Sequence, residues 1–197
     1  MDYLAQLDRG IFSLLNTRLT TSFLDFFMPF ITTKANFIGV IIFAWVIIFI
    51  AGKWKERKML ILVVVAVLTS DLIADTLKHL IHRVRPCNAL TDVRILVGCT
   101  KSFSFPSGHA TNVFASAVYL SYIYRRYAIV FFSMAVLVAY SRIYVGVHYP
   151  LDVMGGALVG SMGAILIIET DKRLTPLVVS WVKKYRQRNF ERDKEAT

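Results

Sequence analysis

Long apolar runs, broken only by short charged stretches, constrain this chain more than any other feature. Phe37 to Ala51, Met59 to about Ile81, about His109 to Tyr124, Tyr127 to about Val145 and Leu151 to Glu169 can each, with their flanking residues, cross a hydrocarbon layer as a helix. Backbone inside lipid has no water to bond to, so such a run must satisfy its own N–H and C=O groups. The expectation is an all-α fold, an integral membrane bundle of five to six transmembrane helices with an N-terminal interfacial helix. Composition agrees. Hydrophobic residues make up 56% of the chain and mean hydropathy is +0.55, gathered into runs rather than spread with the period of a water-soluble core.

The remaining segments divide one domain, residues 1–197, into three parts. Residues 2 to 18 put Leu4, Leu7, Ile11, Leu14 and Leu15 on one helical face with Asp8, Arg9 and Arg18 off it, which predicts an amphipathic helix in the membrane interface within residues 1–20. No cleaved leader is expected, because the first residues lack a basic region followed by an apolar one. The bundle occupies 21–170. Within it Phe23 to Thr32 is apolar but short and holds Asp25 and Pro29, so crossing and not crossing are both open. Small residues Gly155, Gly156, Gly160, Ser161 and Gly163 suit close helix packing in the final span. Residues 171–197 read as a basic cytoplasmic tail, an interfacial piece carrying Leu174, Leu177, Val178 and Trp181 and then a frayed charged end.

The net charge of +10 does not point to nucleic acid, because Lys and Arg gather in inter-segment loops and the tail, where topology and lipid headgroups account for them. The side holding Lys53, Lys55, Arg57, Lys58, Arg125, Arg126 and the tail should be cytoplasmic, which turns the other side toward a periplasm or exterior. Three polar clusters fall on that other side: Lys78 through Arg85-Pro86, then Phe105-Pro106-Ser107-Gly108-His109, then Ser141-Arg142 with His148-Tyr149-Pro150-Leu151-Asp152. Asp71, Asp75, Lys78, His82 and Arg85 follow helical spacing and predict one stripe facing the bundle interior or an aqueous cavity. For the two aspartates a structural ion-pair ladder, Asp75 with Lys78 for instance, is the plainer reading. Residues 86–108 form a polar loop holding both cysteines, Cys87 and Cys99; a disulfide and two free thiols are both open.

Hydrolysis of a phosphate ester requires cations for the nonbridging oxygens, a nucleophile in line and an acid for the leaving oxygen. Lys78, Arg85 and Arg142 supply the cations, two of them as guanidinium forks. Ser107-Gly108 enters a helix, where backbone N–H groups and a hydroxyl can cradle an anion. Pro150 predicts a helix start that puts Asp152 close to His148, able to accept from one imidazole nitrogen and free the other as nucleophile. His109, beside the cradle, is the natural acid. No dense carboxylate or Cys/His cluster calls for a metal, and no cofactor is expected. Singly, each residue has a duller explanation, such as an N-cap or a surface histidine; their joint order at span boundaries on one side does not.

Lys78-x6-Arg85-Pro86, Pro106-Ser107-Gly108-His109 and Ser141-Arg142-x5-His148-x3-Asp152 resemble the three-part signature of the type 2 phosphatidic acid phosphatase superfamily, with every position occupied. The resemblance covers roughly residues 75 to 160. It implies a metal-independent phosphatase working through a phosphohistidine at His148 oriented by Asp152. His109 would protonate the leaving group, and Lys78, Arg85, Ser107, Gly108 and Arg142 would hold phosphate. It further implies a bacterial cytoplasmic-membrane enzyme whose site faces the periplasm or exterior. Its substrate would be a lipid phosphate in the outer leaflet: undecaprenyl diphosphate, lipid A 1-phosphate or phosphatidylglycerol phosphate. If the family's six-helix layout carries over, both termini are cytoplasmic. The rival from another class is a transporter or channel using the Asp71-Asp75-Lys78-Arg85 stripe as its path.

Overall fold

The computed structural model describes the backbone of residues 2–195 and the side chains of residues 3–189. The described residues are helical, with no strand among them. In order come α1 (Asp2–Ser13) with a π-helical turn Leu14–Arg18, α2 (Ser22–Thr32), α3 (Ala35–Ala51), α4 (Trp54–Ile81), the single turn α5 (Pro86–Ala89), α6 (Gly108–Ile123), α7 (Ala128–Tyr144) and α8 (Pro150–Glu195). Helices α4, α7 and α8 belong to segments long and apolar enough to cross a membrane. The pair α2 and α3, bent by 46° at residues 33–34, would make a fourth if taken as one broken span.

Helix α6 is the centre, packed on α4, α7 and α8. Its contact with α8 is close enough to explain the small residues there. A Cβ at Gly160 would run into the Thr111 carbonyl, and one at Gly163 into the Ser70 hydroxyl of α4. Lipid offers no hydrophobic drive to bring helices together, so backbones that approach this closely gain their stability from packing. Alanines do the same elsewhere in the core, with Ala66, Ala110, Ala115 and Ala164 fully buried.

The bundle has two polar ends. At one, Lys58 near the start of α4 bonds Asp171 and Thr175 of α8, and Lys172 lies 5.1 Å from the ring of Tyr122 near the end of α6. At the other stand the end of α4, the start of α6, the end of α7 and the start of α8. Helix α1 is fastened to this second end, since Asp8 accepts from the Leu151 N–H and pairs with Arg83. Helix α1 and the far part of α8 are therefore at opposite ends of the bundle, whereas the six-helix layout implied both termini on one side.

The segment expected as a tail continues the last helix: α8 runs unbroken from Pro150 to Glu195 through Pro176, 46 residues and about 69 Å at 1.5 Å per residue. The frayed end expected there falls in part on residues 196 and 197, outside the described residues. Helix α1 is amphipathic with the leucine face expected, Leu4, Leu7 and Ile11 exposed, as is Leu14 just after it, while Asp8 and Phe12 are buried against the bundle.

Candidate active site

Helix α4 stops at Ile81 because His82 takes a left-handed conformation, φ 53°, its N–H still bonded to the Lys78 carbonyl. The chain then runs extended, so Arg85 is not the last step of a helical stripe but a side chain turned inward from a loop. It is 7% exposed. Its Nε donates to the Ser102 carbonyl at 2.8 Å, Nη2 to the Ser102 hydroxyl at 2.9 Å, and Nη1 to the Val147 carbonyl at 3.2 Å and to His148 Nε2 at 2.9 Å. Asp75 and His82 are exposed, and Asp75 lies 3.8 Å from His79 rather than beside Lys78. Two of the helical members reach the site at Gly108: Lys78, its Nζ 3.5 Å from where a Cβ on Gly108 would stand, and Asp71, exposed but with its Oδ1 3.7 Å from the same point.

The last turn of α7 carries Arg142, 9% exposed, whose Nη1 donates to the Thr32 hydroxyl of α2 at 2.5 Å. Gly146, at φ +87°, then turns the chain, and the N–H groups of Val147 and His148 both return to the Arg142 carbonyl at 3.3 Å. That turn drops His148 into the interior, 2% exposed, just before Pro150 opens α8. Asp152 sits in the first helical turn with no exposure, and its Oδ2 accepts the Tyr149 N–H at 2.8 Å.

Around His148 the expected pairing holds in a looser form. Nδ1 is 3.6 Å from Asp152 Oδ2, beyond hydrogen-bond length, and Ser104 lies between: its hydroxyl is 2.5 Å from Oδ2 and 3.4 Å from Nδ1. Arginine can only donate, so the contact from Arg85 makes Nε2 the acceptor, and the proton of the neutral ring belongs on Nδ1, the side facing the carboxylate. Burial holds the His148 pKa down, to about 4, with the Arg85 and Arg142 charges adding to it and Asp152 opposing. At neutral pH the ring is therefore an uncharged base with its lone pair aimed at guanidinium groups.

The loop before α6 completes the enclosure. Ser107 is fully buried, and its N–H donates to the Asp152 carbonyl at 2.9 Å, so that amide is not free to cradle an anion as expected. Its hydroxyl is buried without a partner, as is Arg142 Nε. Two orphaned polar atoms in one buried cluster of cations suit an anionic ligand. His109, half-buried in the first turn of α6, bonds the Thr32 backbone and feels the charges of Arg142 and Lys34. It stands at the polar end of a 570 Å³ cavity whose walls are apolar residues of α3, α6 and α7, among them Phe37, Ile41, Leu120 and Met134.

The three clusters thus meet at one end of the bundle, as expected, but four participants were missed. Arg83, Ser104, Thr32 and Asp8 each bond a residue of the site or its immediate partner. Arg83 lay inside the first cluster, and Ser104 two positions before Pro106, where adjacency was a usable signal. Asp8 and Thr32 lie far from the clusters along the chain, and nothing in their neighbours marked them. Beside the site, Cys87 and Cys99 are joined in a disulfide that closes the loop after α5, with Cα atoms 6.3 Å apart.

Residues 59–176 match the family described as the PAP2 superfamily. Among curated proteins, the chain is 34% identical over 176 residues to the lipid A 4'-phosphatase of Porphyromonas gingivalis, covering 81% of this chain and 71% of that one. It is 35% identical over 118 residues to the undecaprenyl-diphosphatase of Sulfolobus acidocaldarius, covering 59% of this chain and 57% of the relative. Among solved structures, a transmembrane PAP2-type phosphatidylglycerolphosphate phosphatase from Bacillus subtilis superposes with a TM-score of 0.70 at 28% identity, covering 88% of each chain.

Proposed function

This chain belongs to the PAP2 superfamily, and from that premise we propose that it removes phosphate from a lipid phosphate or diphosphate without a metal, through a phosphohistidine on His148. The observation that carries the reading is the buried imidazole with its two sides differently engaged: Nδ1 toward Asp152 and Ser104, Nε2 toward Arg85. Arg85, Arg142, Lys78, Ser107 and Gly108 hold the phosphate oxygens. Nε2 attacks phosphorus in line, the bond to the lipid oxygen breaks, and His109 gives that oxygen a proton. The same ring then takes a proton from the water that cleaves the P–N bond, and inorganic phosphate leaves. As charge builds on the imidazole, Asp152 stabilises it across the short gap.

The apolar cavity supports a substrate whose chain stays in the bilayer. It descends from His109 past Leu120, eleven residues and about 16 Å along α6, so a headgroup at the cations leaves an acyl or isoprenoid tail lying against α3 and α7. In this reading α3, α4, α6, α7 and α8 cross the bilayer, α1 lies in the outer interface, and the site faces the periplasm or exterior of a bacterial cytoplasmic membrane. The basic opposite end and the disulfide at the site end both favour that orientation. The channel reading has less to rest on, because the stripe is broken: Asp75 is exposed and lies 3.8 Å from His79, while Asp71 and Lys78 approach Gly108 at the site.

The names of the relatives widen the lipid A candidate to its 4'-phosphate. Phosphate release from undecaprenyl diphosphate, lipid A phosphorylated at either position and phosphatidylglycerol phosphate, compared side by side with EDTA present, tests the reading. Turnover of at least one at an undiminished rate in chelator is expected; no release from any, or release abolished by EDTA, overturns it.

A further inference from the structure

Helix α1 has its amphipathic faces reversed relative to a soluble helix, and its buried side makes specific bonds. Asp8, 2% exposed, and Phe12, 1% exposed, stand one turn apart on the face turned to the bundle. A carboxylate is not buried without a strong partner. Asp8 has two: its Oδ1 accepts the Leu151 N–H at 2.9 Å at the start of α8, and its Oδ2 pairs with Arg83 Nη2. The other nitrogen of the same guanidinium, Nη1, donates to Asp152 Oδ1 at 2.7 Å. The plane of Arg83 is fixed from a third direction by the ring of Tyr149, 4.3 Å away, which in turn meets Phe12 of α1 edge-on at 5.4 Å.

Asp152 therefore has its two oxygens assigned to different tasks. Oδ2 serves Ser104, the Tyr149 N–H and the Nδ1 side of His148; Oδ1 is held by Arg83 alone among its side-chain partners. Rotation of the carboxylate about its χ2 bond would draw Oδ2 away from the imidazole, and the bond from Arg83 opposes that rotation. Arg83 does not reach toward the cations that surround Nε2, so it has no geometric claim on the phosphate itself.

We propose that Arg83 is a positioning residue for the nucleophilic imidazole, clamped between Asp152 and the Asp8 carboxylate of α1, so that the N-terminal helix is part of the catalytic apparatus. This rests on the reading of His148 as nucleophile. The prediction is a loss confined to turnover. Outer partners that orient a histidine are worth about 10- to 100-fold, and Arg83→Gln should lower kcat by about that factor while KM stays within about twofold, since the phosphate ligands are intact. Arg83→Lys, which keeps one charged donor, should recover part of the loss. Asp8→Asn should lower kcat by a smaller factor, and adding it to Arg83→Gln should cost little more, because both act through one chain of contacts.

The measurement is steady-state phosphate release from the best lipid of the panel by the full chain in mixed micelles, with wild type and His148→Ala alongside and the melting temperature of each variant recorded. The proposal is overturned if folded Arg83→Gln turns over at the wild-type rate, if its defect lies in KM, or if the Asp8 and Arg83 losses multiply independently. Should Arg83→Gln fail to fold, Arg83→Lys carries the test: a reduced kcat at unchanged melting temperature supports the proposal and a wild-type kcat overturns it. A wild-type protein inert toward every lipid overturns the phosphatase reading as well. Active wild type, inert His148→Ala and fully active Arg83 variants overturn this proposal alone.

Discussion

The two polar ends of the bundle use the same residue types to opposite effect. At the end where α4 begins, Lys58 and Asp171 keep 30% and 25% of their side-chain surface, and Lys172 and Glu169, three positions apart on one helix, keep 46% and 50%. At the other end His148 and Asp152 keep 2% and none, and their partners come from positions as far off as Arg83 and Ser104. Solvent-facing pairs of the first kind contribute little, because water screens them and long side chains lose entropy in pairing. Buried charges of the second kind cost several kcal/mol to desolvate and are tolerable only with every partner in place. The proposed chemistry lies at the costly end, where it supplies a reason for that cost.

The sharpest way to break the comparison is His148→Ala. Loss of a nucleophile removes about 10⁴-fold or more in kcat, and the protein should remain folded, since the substitution takes away a buried ring rather than a charge. Wild-type turnover by this variant, read as phosphate release, would take the site away from this end altogether.

Acid comes next. Burial has lowered the His148 pKa from 6.5 to about 4, so activity should persist as pH falls through 6 and fail only near 4, where the ring protonates and loses its lone pair. Stability follows the same residue with its own window. Between about 6.5 and about 4 the unfolded chain takes up a proton that the folded ring refuses, so this residue's contribution to stability declines as pH falls across that interval. An acid limb of kcat/KM near 6.5 would show His148 to be as solvated as the charges at the far end.

Smallest of all is Lys58→Ala. It should leave kcat and KM unchanged and lower stability by less than about 1 kcal/mol in thermal unfolding. A defect in turnover would mean that the two ends are coupled.

The helices were legible because hydropathy in runs is a direct statement about solvent: α3, α6 and α7 begin and end within two residues of the expected bounds, although α6, at 16 residues, is not among the segments long and apolar enough to cross a membrane. The convergence of Lys78, Arg85, Ser107, Arg142, His148 and Asp152 was legible because each lies at a span boundary, and crossing the bilayer in alternation returns alternate boundaries to one side. Local geometry was not. Helical spacing from Asp71 to Arg85 assumed a helix that His82 ends, so the period was extended past the point where it applied. The free amide expected at Ser107 was already committed to the Asp152 carbonyl, a tertiary bond that spacing cannot reveal. In helix α1 the shared apolar face was legible, and the burial of Asp8 against the bundle was not. An amphipathic period says which residues share a face, not which solvent lies against it, and in a membrane protein the apolar side may be the outer one.

The clamp on Asp8 sets an order of assembly. That carboxylate leaves the ribosome near the beginning, Arg83 follows 75 positions later and the amide of Leu151 after 143. Until then the first helix lacks the partners that bury its acid. Asp8 thus waits on residues from two later parts of the chain, and a product cut short after His109 would hold the first two clusters but neither Leu151 nor the Asp152 carboxylate.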